Sequence, residues 1–138
     1  MVSLKIKDVD FHKDRGSVIL EDDSNEVYEF SIPKEKACVL SLLLLGIYAP
    51  ENNFYKLLDN LFNRANLSVN AVIVFSTQTG DSLAQVEIGD EDFCERYWLN
   101  LSDALIVSAL YNTPIYIKKE VYMKRNWMHF AEEMLHTL

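Results

Sequence analysis

Apolar and polar positions alternate through residues 2–11, the two-residue period of a strand with one covered face. The same period returns in 17–22, after a turn at Lys13 to Gly16, and in Val27 to Ile32, after a turn at Asp22 to Asn25. In the third run Tyr28, Phe30 and Ile32 alternate with Val27, Glu29 and Ser31, so the aromatic side is predicted to face the core. The period then changes. Pro33 suits the first position of a helix, where its missing N–H costs nothing. An Ala- and Leu-rich stretch runs on to about Leu45, and Gly46 suits the left-handed residue that follows.

A second helix is predicted after a cap at Asn52 or Asn53. Phe54, Leu57, Leu58, Leu61, Phe62 and Ala65 keep helical spacing on it. Ser68 to Thr77 reads as the strongest strand, with a hairpin turn at Gln78 to Asp81 and a returning strand from Leu83 to Ile88. An acidic loop at 90–92 leads to a further strand from Phe93 to Leu99. Then comes a helix apolar at every position from Ala104 to Leu110 except Ser108, the mark of a helix buried on most sides. Ser102 is read as its N-cap, and Asp103 places a negative charge where the dipole favours one. Asn112 and Pro114 end it, and Ile115 to Ile117 is a short buried strand. Residues 120–138 close the chain as a helix with Met123, Trp127, Phe130, Met134 and Leu138 at three- or four-residue spacing.

The expected fold is therefore α+β: one domain over residues 1–138, with a mixed, curved sheet and three to four helices. A weak internal repeat supports the idea of two strand–helix units. Lys36-Ala-Cys-Val-Leu-Ser-Leu-Leu aligns with Asp103-Ala-Leu-Ile-Val-Ser-Ala-Leu, and each block follows an aromatic strand, YEFSI or YWLNL. Chance similarity between two apolar helices is the competing explanation.

Composition removes several classes. With 49% hydrophobic residues and 138 in all, the chain can bury a proper core. Its apolar runs fall well short of the roughly 20 residues of a membrane span, and the first residues lack a signal-peptide core, so a cytoplasmic protein is expected. Cys38 and Cys94 form no CxxC spacing and read as buried thiols in a reducing compartment. His12, His129 and His136 form no ligand motif; the last pair shares a helix face, most simply a solvated one. A net charge of −8 disfavours broad affinity for nucleic acid, though an acidic nuclease can act through bound divalent cations.

Ser102, Asp103 and Ala104, followed by a small apolar helix, Pro114, Ile115, Tyr116, Ile117 and Val121, resemble the bacterial bifunctional nuclease family, formerly a domain of unknown function. The resemblance extends back to about Val18. The family has an Arg-Pro pair where Asn100 and Leu101 stand. It also has a Pro-Arg-Pro-x-Thr-His-Asp run near Pro50, where Asn53, Phe54 and Tyr55 lie near the places of its polar residues. The resemblance implies a metal-dependent DNase or RNase using Mg²⁺ or Mn²⁺, with Asp103 as metal ligand and Asp103 and Ser102 as catalytic residues. The alternative is a family member without catalysis that works as a homo-oligomeric interaction or regulatory module. For Asp103 the plainer role is a helix cap hydrogen-bonded to nearby amides. A homo-oligomer, most simply a dimer through the terminal helix, is expected because Tyr122, Trp127, Met128 and Phe130 exceed what one buried stripe requires.

Overall fold

A computed structural model describes residues 1–47, 54–75 and 83–118. Among them are seven strands and three helices: β1 Val2–Phe11, β2 Gly16–Asp22, β3 Val27–Ile32, α1 Lys34–Leu44, α2 Phe54–Ala65, β4 Ser68–Phe75, β5 Leu83–Gly89, β6 Cys94–Asn100, α3 Leu101–Tyr111 and β7 Ile115–Lys118. The predicted caps at 52–53, the hairpin turn at 78–81 and the terminal helix lie outside the described residues.

The strands form one sheet in the order β3-β2-β1-β7-β4-β5-β6. Two antiparallel meanders, β1-β2-β3 and β4-β5-β6, flank the short β7. β7 pairs antiparallel with β1 and parallel with β4, which makes the sheet mixed and leaves β1 and β4 opposed in direction. The fold class read from the sequence is the one observed.

The repeat extends well beyond the two helices. β2, β3 and α1 begin at residues 16, 27 and 34; β5, β6 and α3 begin at 83, 94 and 101, a constant offset of 67. Both meanders also bulge in their first strand, at Lys7 in one and Asn70 in the other, where the pairing register skips a residue. Each half is thus a three-strand meander followed by a helix.

α1 and α3 pack against each other, and a contiguous apolar cluster fills the space between them and the sheet. Val18, Leu20, Leu40, Val72, Val74, Leu105, Ile106 and Ile117 are completely buried within it. α3 is buried from Leu101 to Ser108 except at Asp103, as its nearly unbroken apolar run predicts. Tyr28, Phe30 and Ile32 do turn inward, Tyr28 least completely.

Three local expectations change. The helix after β6 starts at Leu101, so its N-cap is Asn100 and not Ser102. Asn100 has extended backbone (φ −66°, ψ 156°), and its Oδ1 accepts from the Asp103 amide at 3.0 Å, the bond an N-cap side chain makes. Cys38 and Cys94 are exposed, one on the outer side of α1 and one at the start of edge strand β6. On α2, Phe54, Leu57 and Leu61 are exposed although they keep helical spacing. The helix buries Tyr55 and packs Phe62 on Tyr111 at 5.9 Å between ring centres, which uses a different face.

Candidate active site

The first turns of α1 and α3 meet, and the first turn of α2 closes over them. Lys36, Tyr55 and Asp103 come from these three turns. The Lys36 ammonium lies 3.0 Å from Asp103 Oδ1. The same ammonium donates to the Tyr55 hydroxyl at 3.1 Å, and that hydroxyl donates to Asp103 Oδ1 at 2.9 Å. Three groups therefore close a triangle, with two donors on one carboxylate oxygen. Lys36 also sits 5.5 Å from the centre of the Tyr55 ring, within cation–π range.

The local sequence explains this placement. Asp103 is the third residue of α3, and its own backbone amide donates to Asn100 Oδ1. The carboxylate reaches across to α1 and α2, where Lys36 and Tyr55 bind it. Ser102 is buried, and its hydroxyl donates to Asn100 Oδ1 at 3.0 Å, so it braces the cap that positions Asp103. Tyr55 stands on the covered face of α2, with Phe54 edge-on to its ring.

Partial burial sharpens the charges. The side chains of Lys36 and Asp103 keep 34% and 28% of their exposure, so water still reaches the pair. Burial alone would push the Asp103 carboxyl up. The Lys36 ammonium and the Tyr55 hydroxyl outweigh it and hold that carboxyl below its ordinary value. Hydrogen bonds to Tyr55 and Asp103 raise the Lys36 ammonium. Burial raises the Tyr55 phenol, reinforced by its bond to Asp103. At neutral pH the triangle is an ammonium, a neutral phenol and a carboxylate. Such a set binds an anion through the first two groups and accepts a proton at the third.

A resident divalent cation fits these residues poorly. The site offers one carboxylate, with an ammonium 3.0 Å from the oxygen that would take the metal. Mg²⁺ and Mn²⁺ favour several oxygen ligands. Among the described residues no three His, Cys, Asp or Glu side chains converge.

Of the residues singled out from the sequence, Asp103 lies in the cluster and Ser102 directly behind it. Lys36 and Tyr55 were not predicted as site residues. The repeat alignment does place Lys36 opposite Asp103, and that is the signal that could have pointed to it.

The bifunctional nuclease domain matches residues 18–129, most of the chain. The protein belongs to the bifunctional nuclease family. No curated protein matched the chain. Among the described residues no helix is long and apolar enough to cross a membrane.

Proposed function

We propose that this chain hydrolyses phosphodiester bonds of DNA or RNA at the Lys36–Tyr55–Asp103 cluster. The observation that carries the reading is the ammonium–phenol–carboxylate triangle at the helix start where the family pattern falls. In this reading Lys36 and Tyr55 leave their mutual contacts to meet the non-bridging oxygens of the scissile phosphate. The released Asp103 carboxylate takes a proton from water as the water oxygen bonds to phosphorus. The bond from phosphorus to the departing sugar oxygen breaks, and solvent protonates that oxygen. Ser102 and Asn100 hold Asp103 in place. No step is assigned to a metal.

The test uses purified protein on single-stranded DNA and RNA, with Mg²⁺, with Mn²⁺ and with EDTA, against Asp103→Asn. Cleavage that Asp103→Asn abolishes supports the reading. Cleavage only with a cation would add a metal recruited together with the substrate. A wild type inert in every condition overturns it.

A second reading is an inactive family member that assembles with itself. Phe54, Leu57 and Leu61 favour it, standing 65%, 53% and 52% exposed along α2. Burying such area is worth about 25 cal/mol per Å², and a second copy of the chain is the occupant this reading names. Light scattering on wild type and Leu57→Glu tests it. A wild type that is monomeric at tens of micromolar refutes self-association.

A further inference from the structure

The chain carries 21 acidic side chains against 13 basic ones, yet its β1–β2 turn and the start of α1 gather cations. Lys13 and Arg15 stand in the turn, with His12 before them, and Lys34 opens α1. All four are exposed. Lys34 Nζ donates to the Lys13 carbonyl at 3.4 Å, which ties the turn to the helix. Arg15 Nε donates to Ser31 Oγ at 2.9 Å, occupying one of the five guanidinium donors. His12 Nε2 is 3.1 Å from the buried Ser17 hydroxyl. Backbone packing fixes the arrangement further. Gly16 lies so close to α1 that an added Cβ would be 2.4 Å from the Ala37 Cβ, one residue beyond Lys36.

None of Lys13, Arg15 or Lys34 forms a salt bridge among the described residues, whereas Lys7, Lys36 and Arg96 each have a carboxylate partner. Asp14 and Glu35 are interspersed, and Asp10 and Glu29 stand in the adjoining registers of β1 and β3. Leaving out Lys36, which Asp103 neutralises, residues 13–15 and 34–35 hold three cations, Lys13, Arg15 and Lys34, and two carboxylates, Asp14 and Glu35. In so acidic a protein, grouped cations held only by neutral partners are poised for an external anion. Their spread over a turn and a helix start suits a line of phosphates better than one small ion.

We infer that Lys13, Arg15 and Lys34, with His12 beside them, form the surface that holds the sugar–phosphate backbone of a nucleic-acid strand leading to the cluster at Lys36. The inference rests on the nuclease reading for its ligand. It adds that strand-holding and bond-breaking reside in separate groups, joined through the first turn of α1.

Fluorescence anisotropy with a labelled single-stranded oligonucleotide in EDTA, over a salt series, tests it without requiring cleavage. The variant is Lys13→Ala/Arg15→Ala/Lys34→Ala. The control, Lys5→Ala/Lys7→Ala/Arg64→Ala, changes net charge equally elsewhere. The patch variant is expected to bind about 10-fold or more weakly, with a log–log salt slope shallower by about 2, from about 0.7 per lost phosphate contact on single strands. Under cleaving conditions its KM rises while kcat holds. Equal losses in patch variant and control overturn the inference, as does a wild type that binds no strand. Cleavage with an unchanged KM in the patch variant removes this surface and leaves the catalytic reading standing. Binding through the patch by a wild type that never cleaves leaves the surface and removes hydrolysis.

Discussion

Lys36 and Asp103 occupy the same position in the two halves of the chain, and they bind each other, ammonium to carboxylate, at 3.0 Å. When two similar units pack through equivalent helices, equivalent residues near the contact can meet. Identical residues there would place like charges together. Here the two positions carry opposite signs, so the repeat itself builds an ion pair.

That pairing predicts a coupling. Lys36→Ala and Asp103→Ala should each destabilise the fold, and the double variant should lose less than their sum. The pair is partly exposed, so a coupling of about 0.2–1 kcal/mol is expected from denaturant titrations. Strict additivity would mean the ion pair contributes nothing. The exchanged variant Lys36→Asp/Asp103→Lys should recover part of the loss.

Acid should act through the same carboxylate. Asp103 is held below its ordinary value, so folding gains from its ionised form above the unfolded value of about 3.9, and loses that gain as pH falls through the lower folded value. Asp103→Asn carries no such ionisation. The melting temperature of the wild type should therefore drop further than that of Asp103→Asn between pH 7 and pH 3. Equal drops would show that the triangle does not stabilise the charged form.

The close approach at Gly16 is a packing prediction. Gly16→Ala would drive a methyl into Ala37 at 2.4 Å, in a position closed by the turn and α1. The expected cost is about 1–3 kcal/mol, read as a lowered denaturant midpoint. Ala37→Gly in the same chain should return most of it. No loss in the single variant would mean that α1 shifts freely, and with it the placement of Lys36.

Asn112 ends α3 in the left-handed region (φ 51°, ψ 48°), with its amide on the Ser108 carbonyl. Asn112→Gly should be near neutral, and Asn112→Val should cost about 1–2 kcal/mol, because a branched side chain strains that conformation. Thermal melts of both variants decide it. Tolerance of valine would show that the α3–β7 connection relaxes.

Much of the element order was legible because it depends on local period and punctuation. The alternation through 2–11 and 27–32, Gly46 with φ of +78° after α1, and the stop at Asn112 follow from residues that act on their own neighbourhood. Ser102 shows the limit of such reading. Ser, Asp and Asn all stand at the start of α3, each able to cap, and only the position of Leu101 in the helix gives the role to Asn100. The same holds for α2, whose period is plain but whose apolar residues exceed what one face can bury. The packing of Phe62 on Tyr111 leaves Phe54, Leu57 and Leu61 outside.

By itself the sequence indicated the strands and helices among the described residues, the α+β class, a weak strand–helix repeat and Asp103 as a carboxylate worth watching. The tertiary structure decided that β7 separates two meanders, that Lys36 and Tyr55 join Asp103, and that Lys34 ties the β1–β2 turn to the start of α1. These contacts join residues from 19 positions apart, Lys36 and Tyr55, to 115 apart, Val2 and Ile117, and form only once the sheet brings distant parts of the chain together. Propensity and period act within a few residues, and the energy that selects such long-range partners comes from burying the shared core.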